Sequence, residues 1–330
     1  MKYENELRTA IDAVKKACRL CTKVQASLVS EETMTKKDKS PVTVADFGAQ
    51  TIICHELMKA FPNDPVVAEE DSVELRKKEG EFLSRKVYEY VSEVLPELRE
   101  DEIHSIIDRG GYQGGAVGRF WTLDPIDGTK GFLRGEQYAV ALALIENGEV
   151  VLGVLGCPNL SADLNKSDSE TGLIYSAVKG SGSSAEHIES ERSDKVEVSD
   201  IEHPSYAPFC ESVESAHSSH SDSEKISQIL GVTAEPIRID SQCKYAVIAR
   251  GDASIYLRLP TRKDYSEKIW DHAAGSIIVS EAGGRVSDIY GNNLDFSKGR
   301  TLADNKGIVG TNGELHELVI SAVVEVLNSD

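Results

Sequence analysis

The run Asp124-Pro125-Ile126-Asp127-Gly128-Thr129 concentrates two carboxylates, a proline, a glycine and a hydroxyl directly after the apolar Phe120-Trp121-Thr122-Leu123. This reads as a strand ending in a tight turn on which the acid groups converge. Acids three residues apart across a proline suit hard divalent cations, which take oxygen ligands. Pro125 fixes one φ angle and removes a donor, so a neighbouring carbonyl such as that of Ile126 can face a cation. Gly128 lets the chain turn back, and Thr129 brings a hydroxyl beside the same spot. Taken alone, such a run is also an ordinary polar turn.

Further acids fall where elements begin or end. Asp46 is expected in the first turn of a helix capped by Thr43. Val66-Val67-Ala68 reads as a short strand that runs into Glu69-Glu70-Asp71. Asp271 lies in Trp270-Asp271-His272-Ala273-Ala274-Gly275, where a helix starts after a loop. Each has a plain explanation as cap, strand end or turn. Together they supply carboxylates for a two- or three-metal site. Paired cations can activate water on one side of a phosphate ester and neutralise the leaving oxygen on the other. Phosphoryl transfer needs positioning and charge neutralisation more than covalent chemistry, so direct attack by water is expected.

The elements that must carry these groups are legible in outline. Residues 4–29 form a helical pattern, with Leu7, Ile11, Val14, Cys18, Cys21 and Leu28 on one face. That stripe assigns Cys18 and Cys21 to buried packing rather than to redox or zinc chemistry. Residues 30–40 are polar and read as a mobile loop or hairpin. Phe82 to Leu95 is helical, and the following stretch to Gly118 reads as irregular. Tyr138–Ile145 and Val150–Gly156 flank Asn147-Gly148, a strong hairpin signal. Gly172–Val178 is another strand, and the polar segments 161–171 and 181–200 read as surface loops. Strands at Ile237–Asp240 and Ala253–Leu259 then alternate with helices from about Gln242, from Asp271 to Glu281 and over 313–327, an α/β pattern. A boundary is expected after Cys157, giving an α+β metal-binding domain over 1–157 and an α/β nucleotide-binding domain over 158–330.

Composition narrows the partners. Lys plus Arg is 36 against 55 Asp plus Glu, a formal charge of −19. Such a field repels polyanions, so extended nucleic acid is not an expected partner. No apolar run reaches the length of a membrane span. The acidic N-terminus does not read as a signal peptide, so cytoplasm, or the nucleus, is the expected location. The six cysteines are expected as reduced thiols.

The spacing of Asp46, Glu69-Glu70, Asp124-Pro125-Ile126-Asp127-Gly128-Thr129 and Trp270-Asp271, with Gly283-Gly284 beyond, resembles the lithium-sensitive, magnesium-dependent phosphatases that include inositol monophosphatases and fructose-1,6-bisphosphatases. Longer blocks narrow the resemblance: Ser40-Pro41-Val42-Thr43, Gly118-Arg119-Phe120-Trp121, Lys130 to Gln137, His217-Ser218-Ser219-His220, Asp240 to Tyr245 and Glu267 to His272. These are similar to the 3′(2′),5′-bisphosphate nucleotidases, over about residues 4–325. Segments 161–171 and 181–200 carry no part of the likeness.

The resemblance implies a layered α-β-α-β-α sandwich with the site between its halves. It implies removal of the 3′-phosphate of adenosine 3′,5′-bisphosphate (PAP), also of its sulfated relative PAPS, with a link to sulfate assimilation and salt tolerance and inhibition by Li⁺. It implies two or three Mg²⁺ ions. Glu69, Asp124 and the Ile126 carbonyl would hold one; Asp124, Asp127 and Asp271 would hold a second. Glu70 would lie behind the ligands, and Asp46 and Thr129 would orient and deprotonate the attacking water. His217, Ser241, Lys244, Arg258 and Lys268, with Thr129, would face the substrate.

Alternatives stay open at three places. Arg258 reads equally as a strand residue in a surface ion pair. Tyr245 reads equally as a purine contact or core. An inositol polyphosphate 1-phosphatase, or a non-catalytic acidic protein binding cations or nucleotides, would share the acids. A monomer is expected.

Overall fold

The computed structural model describes residues 2–30, 40–166, 168–213, 220–260, 262 and 265–329. Two long helices, α1 (Glu4–Ser30) and α2 (Ser40–Ala60), precede the short strand β1 (Val66–Ala68). Then come α3 (Glu81–Val94), α4 (Ile103–Ile107), β2 (Arg119–Asp127) and α5 (Thr129–Arg134). Five strands follow: β3 (Ala139–Glu146), β4 (Glu149–Ser161), β5 (Thr171–Val178), β6 (Ser183–His187) and β7 (Ser193–Val196). The C-terminal part runs β8 (Phe209–Glu211), α6 (His220–Leu230), β9 (Ile237–Arg238), α7 (Cys243–Ala249) and β10 (Ile255–Arg258). It ends with α8 (Ala273–Glu281), β11 (Arg285–Ser287), β12 (Ile308–Thr311) and α9 (His316–Asn328).

Strands β1 to β7 form one sheet in chain order; β11-β12-β10-β8-β9 form a second. Alternation along β3 shows how the layers are built. Val140, Leu142 and Leu144 pack with α1 and α2, whereas Ala139, Ala141, Ala143 and Ile145 pack with α7 and α8. Period-two alternation sends a large apolar face one way and an alanine face the other. The small face admits helices closely: a Cβ on Gly153 of β4 would lie 2.5 Å from Ile277. Beyond α7 and α8 lies the second sheet, and its outer face packs against α6 and α9 around Ile226, Val309, Val319 and Val323. The order is α-β-α-β-α, the layered α/β sandwich that the resemblance implies.

The β3–β4 hairpin turns on Asn147 (φ 51°) and Gly148 (φ 80°), as its Asn-Gly pair requires. All six cysteines are free and buried, Cys18 and Cys21 among them, so the packing reading holds. Among the described residues, no helix is long and apolar enough to cross a membrane.

Four expectations need correction. Helix α2 starts at Ser40, not near Thr43, because Pro41 suits a first helical turn, where its missing N–H has no partner to lose. Asp46 therefore sits beyond the first turn. The stretch before Gly118 is not wholly irregular, since it holds α4 flanked by short 3-10 turns. Segment 181–200 contains β6 and β7, which close the sheet at its edge. Finally, β4 runs unbroken through Cys157-Pro158, and the first sheet continues to Val196. The change of sheet falls between β7 and β8, not after Cys157. The loop or hairpin expected near 30–40 lies almost wholly outside the described residues.

Candidate active site

Strand β2 ends in an irregularity made by its own sequence. Asp124 pairs with Ala141 and Asp127 with Ala139, so three steps on β2 match two on β3. One extra residue in the strand is a bulge, and Pro125, without an N–H, fits there at no cost to the ladder. Gly128 follows at φ 93°, and a Cβ there would lie 2.8 Å from that of Ser241. Glycine thus brings the β2 end against the segment that leads into α7. Ser241 itself has φ 65°, an unusual conformation for a residue with a side chain.

These segments enclose a cavity of about 320 Å³. Its wall includes Glu69, Asp124, Ile126, Asp127, Thr129, Lys130, Ser241, Gln242, Lys244, Arg258, Tyr265 and Asp271. Glu69, Asp124, Asp127 and Asp271, from three distant parts of the chain, therefore share one space, with Asp240 from a fourth. The Ile126 side chain belongs to the core, which leaves its backbone to border the cavity. Asp46 is buried and is not a wall residue. It lies close enough to Glu70 and Glu69 to feel both charges.

The acids destabilise one another. Burial raises the Asp124 carboxyl well above its usual range, and Glu69, Asp127, Asp271 and Asp46 add to the shift. Burial and Asp127 do the same to Asp271. Burial raises Glu69 too, while Asp124 and Lys268 oppose. Glu70 is pushed up to about 7 by burial and by Glu69 and Asp71. Asp124 Oδ1 is buried without a hydrogen-bond partner among the described residues. Crowded carboxylates with an orphaned acceptor are a donor set that divalent cations fit: hard oxygens whose repulsion a cation would relieve.

Cations line the same cavity. Lys244 is buried, and its ammonium donates to the Ser241 carbonyl at 2.8 Å. Burial lowers its pKa, and the Asp127 charge opposes this. Arg258 Nε donates to Glu267 at 2.9 Å, and its Nη2 lies 3.7 Å from Asp271. The surface ion pair that its strand position allowed is in fact an internal one on the cavity wall. Lys268 is half-buried beside Trp270 and is not a wall residue; its charge reaches Glu69. Tyr245 is core: its hydroxyl meets His272 Nδ1 at 2.8 Å and its ring packs edge-on against Tyr256. His217 lies outside the described residues.

Three residues that hold this arrangement were not among the expected site residues. Gln50, one turn after Asp46 on α2, grips the backbone of Glu70. The Gln242 amide donates to Asp127, while its side chain bridges the Trp270 carbonyl and the Gly275 N–H. Arg300 donates to the carbonyls of Ala68 and Gly110 and stacks over Trp270, tying the strand before Glu69 to the turn before Asp271. For Gln50 the spacing i, i+4 from Asp46 was a usable signal. For Arg300 there was none.

The chain belongs to the inositol monophosphatase family, whose sequence profile matches residues 2–328. Within it, the chain is 47% identical over 347 residues to a 3′(2′),5′-bisphosphate nucleotidase of Schizosaccharomyces pombe, covering 100% of this chain and 98% of that one. It is 47% identical to the Oryza sativa protein of the same name, over 98% and 95% of the two chains. Among solved structures it is similar to a Thermotoga maritima IMPase (TM-score 0.64, 23% identity, 98% and 99% coverage). It is also similar to an inositol monophosphatase from Anabaena (TM-score 0.62, 19% identity, 98% and 97% coverage). At those identities the structural likeness speaks for the fold.

Proposed function

We propose that this chain is a Mg²⁺-dependent phosphatase that hydrolyses the 3′-phosphate of PAP to give AMP and phosphate, and that PAPS is a second substrate. The observation that carries this reading is the convergence of Glu69, Asp124, Asp127 and Asp271 on one cavity that Lys244 and Arg258 also line. Acids for cations and cations for a second phosphate are what a bisphosphate ester needs. The names of the nucleotidase relatives supply the nucleotide.

Glu69, Asp124 and the Ile126 backbone would hold one Mg²⁺, and Asp124, Asp127 and Asp271 a second; a third would lie toward Asp46 and Glu70. Bound Mg²⁺ supplies Lewis-acid charge neutralisation and lowers the pKa of water. The protein's own part is positional. Thr129, on the wall, orients the attacking water. Asp46, in its ionised form, takes the proton that water releases; burial and the neighbouring Glu70 and Glu69 raise that carboxylate's proton affinity. The water oxygen bonds to phosphorus as the bond from phosphorus to the ribose 3′-oxygen breaks, and that oxygen takes a proton from solvent to leave as the 3′-hydroxyl of AMP. Ser241, Lys244 and Arg258 hold the rest of the substrate; Lys268, set back from the wall, acts on it from the rim.

The test is phosphate release from PAP with and without Mg²⁺ and Li⁺. Turnover that needs Mg²⁺ and falls with Li⁺ is expected. Faster turnover of inositol 1,4-bisphosphate than of PAP would overturn the nucleotide assignment.

A further inference from the structure

Arg258 ends β10 on the cavity wall, and what fixes it there is a buried chain of polar groups. Glu267 accepts from Arg258 Nε at 2.9 Å and meets His272 Nε2 at 3.1 Å. His272 Nδ1 meets the Tyr245 hydroxyl at 2.8 Å. One tautomer satisfies every contact: Nε2–H donates to Glu267, and Nδ1 accepts the tyrosine proton. Glu267, His272 and Tyr245 are all buried. The chain is thus anchored on α7 through Tyr245 and beside the start of α8 through His272.

Two carboxylates compete for this guanidinium. Glu267 lies at 2.9 Å and Asp271 at 3.7 Å, beyond hydrogen-bond reach. Glu267 therefore keeps Arg258 from claiming Asp271, and it occupies the Nε side of the fork. Arg258 itself lines the cavity, where a planar guanidinium suits a phosphate. Glu267, Asp271 and His272 also offer ligand atoms within 4.8 Å of one another, as a metal site would. Arg258 already balances the Glu267 charge, and the Nε2 proton of His272 is committed to Glu267, so this trio reads as a brace and not as an ion cage.

We propose that Glu267 is a positioning residue for recognition of the substrate's second phosphate, the 5′-phosphate of PAP, acting through Arg258. The proposal rests on the nucleotide reading above. Without Glu267, Arg258 would lose its anchor and swing toward Asp271, weakening phosphate recognition and crowding the acids.

The experiment compares kcat/KM for PAP with that for adenosine 3′-monophosphate, which lacks the 5′-phosphate. The wild type is expected to favour PAP. Glu267→Ala should reduce that preference about tenfold, the scale of one charge-assisted contact, chiefly by raising KM for PAP. Glu267→Gln keeps an acceptor for Arg258 Nε and should restore most of it. Adding Glu267→Ala to Arg258→Ala should change the preference no further, since one acts through the other. If Glu267→Ala does not fold, Glu267→Asp, shorter by one methylene, should show the same loss. Wild type inactive on PAP would sink the functional reading itself. A preference lost in Arg258→Ala yet kept in Glu267→Ala or Glu267→Asp would overturn this inference alone.

Discussion

Gln50 and Glu70 are joined in both directions: the Gln50 amide donates to the Glu70 carbonyl at 2.7 Å, and the Glu70 N–H donates to Gln50 Oε1 at 3.2 Å. Gln50 also donates to the Ile107 carbonyl at 2.9 Å. A fully buried side chain on α2 thus fixes the loop that presents Glu69 to the cavity. Gln50→Leu, close in size, strands these backbone groups. It should cost about 1–3 kcal/mol of stability. It should also raise the Mg²⁺ concentration needed for half-maximal turnover. Thermal melting and a Mg²⁺ titration check both effects; an unchanged Mg²⁺ requirement would show that the Glu69 loop holds itself.

Asp127 faces the cavity with its carboxylate and accepts the Gln242 N–H. Asparagine keeps an acceptor for that N–H but loses the charge. Asp127→Asn should therefore melt like the wild type or higher, since one repelling charge is gone. Its turnover should fall at least ~100-fold, the upper range for residues that only support a metal ligand. Steady-state assay at ordinary Mg²⁺ decides; retained activity would remove Asp127 from the ligand set.

The raised carboxyls make a statement about the metal-free protein. Asp124, Asp271, Asp46 and Glu69 sit above their usual values of 3.8 and 4.5, and Glu70 reaches about 7. A group whose folded pKa is raised binds protons more tightly in the native state. Stability is then greatest below the unfolded value and is lost as pH rises through the folded one. Protein stripped with EDTA should melt at a falling temperature from about pH 4.5 to pH 7. Added Mg²⁺ should restore more at pH 7 than at pH 5, because it binds the ionised form. A flat melting profile without metal would contradict the crowding of these acids.

Lys244 donates to the main-chain carbonyl of Ser241, and it borders the cavity. Its charge is buried and available to an anion. Lys244→Met keeps the stem and removes the charge. KM for PAP should rise about tenfold or more, with kcat changed less. The melting temperature should hold or rise, since an isolated buried charge is costly. Equal losses for PAP and adenosine 3′-monophosphate would show that Lys244 serves the fold or the reacting phosphate instead.

Legibility differed by element. The β3–β4 hairpin announced itself through an Asn-Gly turn between apolar alternations. Strands β6 and β7 did not: at the margin of the sheet, with β7 its edge strand, they need partners but little burial, so Ser183–His187 and Ser193–Val196 look like loop. The continuation of the first sheet past Cys157 went unseen for a related reason. Pro158 lies late in β4, between the ladder pairs Cys157–Leu173 and Ser161–Thr171, where the register shifts and no N–H is needed. Helix α2 hid its start because the Ser40-Pro41 opening lacks the capping pattern found at Thr43.

By itself the sequence determined the chemistry on offer: which oxygens exist, the proline and glycine set beside Asp124 and Asp127, and the pattern shared with a phosphatase family. Those are local stereochemistry and residue type, and they survive in a string of letters. Only the tertiary structure decided that Glu69, Asp124, Asp127 and Asp271 share one cavity, that Tyr245 is core, and that Glu267 rather than Asp271 takes Arg258. Such outcomes depend on distances of a few ångströms between residues far apart in the chain, and hydrogen bonding and Coulomb energy change over that scale while sequence spacing does not.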